Sequence, residues 1–363
     1  MNSSGNELFM TRANNYISES QRKALGAVRI PARAIVFAKV GAAVFKERKR
    51  ILAQDSCIDN NMAAFIVDER QLDVRFAHYL LTAFKLSDLV AVGALPSLNG
   101  GQLRSIPMLV PPRLSDQRRI AAALTDADDL IATLERLIAK KHAVKQGMMQ
   151  QLLTGRTRLP GSSDNWVDST LGAIARVTGG GTPSTRVRSF WGGGIPWFTP
   201  AEIKAQGSGL VSSSERTITQ EGLASSAATL LPAGTVLVTS RASIGNCAVA
   251  AVPVSTNQGF TSMIPNDSRS TWFLYYWIQQ YRSELESRAA GSTFLEICAS
   301  KVAAIPLAAP GLPEQQAIGG VLRDGDTELD ALKSRLAKAR AIKTGMMQQL
   351  LTGRTRLPVE AAS

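Results

Sequence analysis

The sequence predicts an α+β protein in which two similar globular domains are separated by two long, antiparallel, coiled-coil-like helices. Three observations carry that expectation. The string GMMQQLLTGRTRLP stands at 147–160 and again at 345–358, 198 positions later, which marks a duplicated unit. Ahead of each copy runs a long stretch with apolar residues spaced three and four apart. Before each of those stretches lies a segment rich in small residues and short β-branched runs, and the two segments echo each other. The boundaries read as 1–112 for the first globule, 113–160 for the first helix, 161–310 for the second globule, 311–358 for the second helix and 359–363 for a tail.

In the first globule, RIPARAIVFAKVG (29–41) parallels LLPAGTVLVTSRA (230–242), CIDNNMAAFIV (57–67) parallels STNQGFTSMIP (255–265), and VRFAHYLLTAF (74–84) parallels TWFLYYWIQQY (271–281). The first long helix spans Asp116 to Leu153, with no Pro and a single Gly, a length of roughly 57 Å at ~1.5 Å per residue. Its stripe is Ile120, Leu124, Ala127, Ile131, Leu134 and Ile138, continued by Met148 and Leu152 and interrupted near its end by Lys141 and Lys145. Pro and an acidic residue mark its start in IPMLVPPRLSDQ, while Gly155 and the arginines of TGRTR mark its stop. The second globule carries GTVLVTSR (234–241), CAVAAVPVS (247–255) and FTSMIP (260–265), then a helical segment near 271–288. The second long helix repeats the stripe through Ile318, Leu322, Leu329, Leu332, Leu336, Met346 and Leu350, interrupted by Lys343. Neither helix can bury its stripe alone. Packing them together is the simplest solution, and two unrelated surface helices are the alternative.

Composition bounds the function. A chain of 363 residues with 45% hydrophobic content supplies a core to each of two domains. No run of about eighteen apolar residues occurs and the N-terminus lacks the layout of a signal peptide, so a cytoplasmic protein with no membrane partner is expected. Cys57, Cys247 and Cys298 are odd in number and form no CxxC, which argues for buried, reduced thiols and against a disulfide framework or structural zinc. The net charge of +12 favours a polyanionic partner, nucleic acid foremost, with a ribosome-associated or merely basic enzyme as the alternative.

No chemistry-bearing motif emerges. There is no GxxxxGK[ST], no NPPY or DPPY string and no FxGxG-type segment for S-adenosylmethionine. The GGG runs at 179–181 and 192–194 lack a following Lys and read as loops. His78 and His142, the only histidines, lie far apart, so neither metal binding nor triad chemistry has support. No cofactor and no catalytic residue are expected.

The ordered set of GGGTPS (179–184), GIPWFTPAEI (194–203), SRASIGN (240–246), STNQGF (255–260) and the duplicated LLTGRTRLP resembles the specificity (S) subunit of type I restriction-modification systems. FAKVGAAVF (37–45), KERKRIL (46–52) and CIDNNM (57–62) resemble another version of the same target-recognition domain, so the likeness covers nearly the whole chain. It implies two target-recognition domains, each reading half of an interrupted sequence in double-stranded DNA, with the helices as a ruler. It also implies methyltransferase (M) and restriction (R) subunits as partners that perform the chemistry. One departure stands out: 57 residues separate Pro160 from Ile218, whereas the matching Ile17 has sixteen residues before it. The first recognition domain is therefore expected to lack its opening third, through a late start, a truncated gene or a recombined fragment.

For DNA reading, the second unit offers Thr182, Ser184, Arg186 and Arg188 beside the GGGTPS loop, with Arg241, Asn257 and Gln258. The arginines either touch DNA or are solvated charges, and the amides either read bases or hold a turn. In the first unit Lys46, Arg48, Lys49 and Arg50 form the densest basic run, suited to phosphate or simply a solvated hairpin tip, with Lys39 and Asn61 aligned near Arg241 and the second unit's amides. The identity of the helix ends goes beyond a packing stripe. It points to a shared partner at Gln150, Gln151, Arg156, Gln348, Gln349 and Arg354, or to a recent duplication. Two other functions stay open: a half-site reader that pairs with another chain, and a basic coiled-coil scaffold for RNA or protein.

Overall fold

A computed structural model describes residues 6–90, 96–162, 164–203, 209–291 and 295–358; the tail expected at 359–363 lies outside them. The chain forms two compact units, one from Met1–Thr133 with Leu336–Ser363, the other from Leu134–Arg335. Each unit thus consists of one globule and one half of each long helix. The helices run Leu114–Leu152 and Leu312–Leu350, 39 residues apiece, close to the span set by the apolar spacing and the terminal signals.

In the first unit a four-stranded sheet has the order Phe9–Met10, Lys49–Leu52, Ile35–Ala38, Met62–Phe65. Its first pair is parallel and the others antiparallel. The helix Val74–Ala83, capped by the Asp73 side chain accepting from the Arg75 and Phe76 amides, covers one face with Val74, Ala77 and Leu81 against Ile35 and Ile51. The helix's other side, Phe76 and Tyr79, packs on Ile120, Ala121 and Leu124 of one long helix and on Leu350 and Leu351 at the end of the other. Buried Gln117 fastens the corner, accepting from the Asp73 amide at 2.7 Å and donating to the Gln71 and Pro111 carbonyls.

The second unit repeats this plan with more strands. A five-stranded sheet runs Leu210–Val211, Cys247–Ala250, Val236–Val238, Thr261–Pro265, Ala175–Gly179. Here too the first pair is parallel. The helix Thr271–Gln280 lies on it, with Phe273, Leu274 and Tyr276 in one core with Val236, Val238 and Met263 of the sheet and with Leu152, Ile318 and Leu322 of the long helices. The helical segment expected at 271–288 is interrupted at Tyr281, where the backbone leaves the helical region and Arg282–Arg288 begins anew.

A second sheet, Arg216–Ile218, Trp191–Phe198, Ser255–Thr256, belongs to this unit, and no counterpart of its Trp-bearing strand occurs among the first unit's described residues. The consequence is visible at one matched position. Ile218 is 0% exposed beneath Ile195 and Trp197, whereas Ile17 is 42% exposed beside exposed Tyr16.

The cysteine expectation needs correction. Cys247 is buried, but Cys57 is half-buried and Cys298 exposed. Burial pushes the Cys247 thiol up to about 12, while the Ser300 hydroxyl hydrogen-bonded to Cys298 holds that thiol below its ordinary range.

Candidate nucleic-acid interface

In the second unit the GGGTPS loop is fixed by close backbone approach. A Cβ on Gly180 would stand 2.2 Å from the Asn257 carbonyl oxygen, and one on Gly181 would stand 2.3 Å from the Ala227 carbonyl carbon. Only glycine lets this loop lie so close to its neighbours. Two indoles hold it from beneath: Trp191 Nε1 donates to the Ser184 carbonyl at 3.1 Å and Trp197 Nε1 to the Gly181 carbonyl at 2.9 Å. The Thr182 hydroxyl donates to Gln258 Oε1 at 2.6 Å, and the Ser240 amide donates to the Gly259 carbonyl at 2.8 Å. Thr182, Ser184, Asn257 and Gln258 therefore gather at one corner, with Arg241 one residue from it.

Their roles there differ. Asn257 Oδ1 accepts from the Gly259 amide, which makes it a turn holder. Arg241 forms an ion pair with Glu296, Nε to Oε1 2.8 Å, without an aligned hydrogen bond. Arg186 and Arg188 are exposed and have no carboxylate within 4 Å among the described residues, so their guanidinium donors remain available. Sequence reasoning missed Arg216. It faces Trp197 across the strand pair and lies over the Trp191 ring, 3.5 Å from Cζ to centroid. No motif string contained it, and only the strand register reveals the stack.

The basic run of the first unit is divided by its strand. Lys46 is exposed, and Arg48 is half-buried. Lys49 requires correction as a phosphate contact: it is 2% exposed, with Nζ on Glu47 Oε2 at 2.5 Å and on the Phe84 carbonyl at 3.0 Å. Alternation along Lys49–Leu52 turns this side chain inward, so its charge is spent inside the fold. Burial pushes the Glu47 carboxyl up, but Lys49 and the amides of Leu86 and Ser87 outweigh it and leave the group below its ordinary range. Arg50 is half-buried and donates to the Lys49 carbonyl at 3.0 Å. Half-buried Lys39 and exposed Asn61 are joined through their backbones, Lys39 N to Asn61 O at 2.8 Å.

Where the long helices pair, the lysines that interrupt the stripes find acids. In the second unit Lys145 Nζ meets Asp326 Oδ1 at 2.5 Å and lies 4.9 Å from the Tyr276 ring centroid, while the Tyr276 hydroxyl donates to Asp326 Oδ2 at 2.7 Å. Lys141 pairs with Glu328, so rising numbers on one helix meet falling numbers on the other and the pairing is antiparallel. In the first unit Lys343 meets Asp128 at 2.5 Å and lies 5.7 Å from the Tyr79 ring, whose hydroxyl donates to Asp128 at 2.8 Å. Each clasp ties a globule's helix to both long helices. Burial raises both phenols' proton affinity, Asp326 or Asp128 raises it further, and both hydroxyls stay donors.

The helix ends show how much of their identity is structural. Gly155 and Gly353 both adopt φ +69°, the left-handed conformation that closes a helix. The Thr154 hydroxyl bonds the Gln150 carbonyl and the Thr352 hydroxyl the Gln348 carbonyl. The Thr157 and Thr355 amides return to the Gln151 and Gln349 carbonyls, both at 3.2 Å, and each Thr hydroxyl donates to that Gln's own side chain. Gln151 and Gln349 thus serve the closing turn, and both are exposed. Gln150, Arg156, Gln348 and Arg354 remain exposed, and Gln150 also lines a polar cavity of about 370 Å³ beside Lys145 and Gln279.

Among the described residues no group of three His, Cys, Asp or Glu could hold a metal ion, and no helix is long and apolar enough to cross a membrane. The family of the type I restriction modification DNA specificity domain matches residues 3–141 and 163–339, one stretch in each half of the chain. The chain belongs to that family. Similar members include the type I restriction enzyme MjaIX specificity subunit of Methanocaldococcus jannaschii, 37% identical over 173 residues, which are 47% of this chain and 40% of that one. The EcoR124I/EcoR124II specificity subunit of Escherichia coli is 32% identical over 176 residues, 47% of this chain and 43% of that one. The chain thus spans less than half the length of these two relatives. Among solved structures, the type I restriction-modification S subunit from M. genitalium shares the fold with a TM-score of 0.59 at 16% identity, covering 88% of this chain and 83% of that one. The HsdS subunit from Thermoanaerobacter tengcongensis gives 0.50 at 19% identity, covering 90% and 82%.

Proposed function

We propose that this chain is a DNA-reading specificity subunit that performs no chemistry itself. Each globule reads one part of a bipartite target in double-stranded DNA, and methyltransferase and restriction subunits, assembled on it in the cytoplasm, methylate adenine or cleave. The observation that carries this reading is the family match in both halves of the chain. The net charge of +12 and the exposed Arg186 and Arg188, which meet no carboxylate among the described residues, beside a close-packed glycine loop support it, since such donors suit phosphate and base edges. In the first unit Lys46 and Arg48 are the residues proposed to meet phosphate, with Lys39 and Asn61 beside them; Thr182, Ser184 and Gln258 line the second unit's reading corner. Gln150, Arg156, Gln348 and Arg354 are proposed to meet the methyltransferase subunits.

A second reading has its own observation. Only the second unit shows the Trp191–Phe198 sheet among the described residues, so one working reader paired with another chain is the alternative. A modified-base map of DNA from a host expressing this chain with its methyltransferase subunit separates them. An asymmetric bipartite methylated motif supports two readers, and a palindromic one supports a single reader in a dimer. Absence of any methylated motif overturns both.

A further inference from the structure

Among the described residues Arg216 lies closer to an aromatic ring than any other exposed arginine of the second unit; Arg323, over Trp272, stands 5.5 Å from the centroid. Arg216 Cζ lies 3.5 Å from the centroid of Trp191 and 5.5 Å from that of Trp197. The two indoles meet edge to face at 5.1 Å and 88°, and both ring N–H groups are committed to carbonyls of the GGGTPS loop. Among the described residues no carboxylate lies within 4 Å of the guanidinium, in contrast to Arg241, Arg269, Arg282 and Arg288, each paired with Asp or Glu. The side chain is exposed. A guanidinium thus rests over a ring at van der Waals distance, on an exposed side chain beside the loop, and the stack restricts its orientation in advance.

We propose that Arg216 is a specificity-determining residue of the second recognition domain, its in-plane N–H pair donating to the O6/N7 edge of one guanine in the major groove. The proposal rests on the DNA-reading function above. An arginine fork fits that edge with two parallel hydrogen bonds, a fit that lysine's point charge cannot reproduce. The stack supplies what a free arginine lacks, since the rotamers are restricted before DNA arrives and little ordering remains to be done on binding. Arg186 and Arg188, exposed and unstacked, keep the less selective work of attracting the backbone.

The test presents randomised duplex DNA to the full-length chain assembled with its methyltransferase subunit and sequences what is retained. Arg216→Lys keeps the charge, and its exposed position leaves the fold intact, which a melting curve checks. The expected result is a loss of preference at one G·C pair of the second half-site, on the order of 10- to 100-fold, with every other position unchanged. In the Trp191→Ala background the same change should cost clearly less, because the arginine is no longer pre-oriented. Arg186→Ala should instead weaken all duplexes alike and lower the salt slope by about one. An unaltered motif in Arg216→Lys overturns the proposal while leaving the DNA-reading function standing. So does Arg216→Ala if it weakens every duplex equally and lowers the salt slope, for that is a phosphate contact. A wild-type complex that enriches no sequence overturns the reading of function and this proposal together.

Discussion

Removing Asp326 should destabilise the second unit much more than removing Asp128 destabilises the first, although the two aspartates occupy matching clasps. In Asp326→Ala the Lys145 ammonium loses its counter-ion and the Tyr276 hydroxyl loses its acceptor. Lys145 and Asp326 have side chains only 14% and 13% exposed, so the change resembles breaking a buried pair, which costs about 3–5 kcal/mol. The residual exposure lets water relieve some of that, which puts the expected loss near 3 kcal/mol. In Asp128→Ala the pair is 22% and 40% exposed, so the ionic part falls to below about 1 kcal/mol and the Tyr79 bond adds about 1. For units of roughly 150–250 residues each kcal/mol shifts the melting temperature by about 2–4 °C. Scanning calorimetry, with amide exchange to assign each transition, should therefore show a fall of about 6–12 °C for the second unit in Asp326→Ala. Asp128→Ala should lower the first unit's transition by about 3–6 °C. Replacing both Lys145 and Asp326 by Met and Leu should recover most of the loss, because no lone charge is left buried. Equal shifts for the two alanine variants, or less than about 2 °C for Asp326→Ala, would refute the argument from burial.

Lys49→Ala should lower the first unit's stability by about 2–3 kcal/mol, since it strands the Glu47 carboxylate, yet leave the salt slope of DNA binding unchanged; denaturant titration and binding at several salt concentrations check the two halves. Because the Glu47 carboxyl is held below its unfolded value, its contribution is present above the ordinary carboxylate range and lost as pH falls through the lowered value. An acid titration of the first unit should accordingly lose less stability in Glu47→Gln than in wild type. Native alkylation near pH 8 should label Cys298 rapidly and Cys247 only after unfolding, as mass spectrometry of the peptides will show. Gly180→Ala should displace the GGGTPS loop, weaken DNA binding and shift the Trp fluorescence, because its Cβ has no space beside Asn257.

Much of the fold was legible because it rests on periodicity and punctuation. The stripe from Ile120 to Leu152 and the Gly155 stop gave the first long helix to within two residues at either end. The piecewise echoes located the matching central strands, Ile35–Ala38 and Val236–Val238, and the covering helices. What stayed hidden depends on pairings distant in sequence. Lys49 looked like part of a surface run until strand alternation turned it inward toward Glu47 and Phe84. Arg216 belonged to no motif until it was found opposite Trp197. The lysines at 145 and 343 looked like breaks in a seam, because the acids that accept them lie 181 and 215 residues away in the chain.

Those clasps also bear on how precisely a globule can be aimed. A seam of leucines tolerates small slides, since one apolar contact replaces another at little cost, whereas a charged pair in a largely buried setting is satisfied at a single register. In the second unit Tyr276 adds a third point: it is 0% exposed in the globule's own core yet donates to Asp326 on a long helix. Sliding the helix by one turn, about 5.4 Å, would break the ion pair and the phenol bond together and leave three polar groups buried without partners. The exposed arginines of the GGGTPS corner are thus carried by a globule whose attachment to its helices is fixed by polar geometry, so altered bases at the corner and altered register at the clasp should be separable by mutation. Lys145→Arg with Asp326→Glu, which keeps the charges but lengthens both arms, is the discriminating pair. It should leave base preference intact while loosening the docking of helix Thr271–Gln280, read as faster amide exchange along that helix. A change in base preference in this variant would mean that register and reading are not independent.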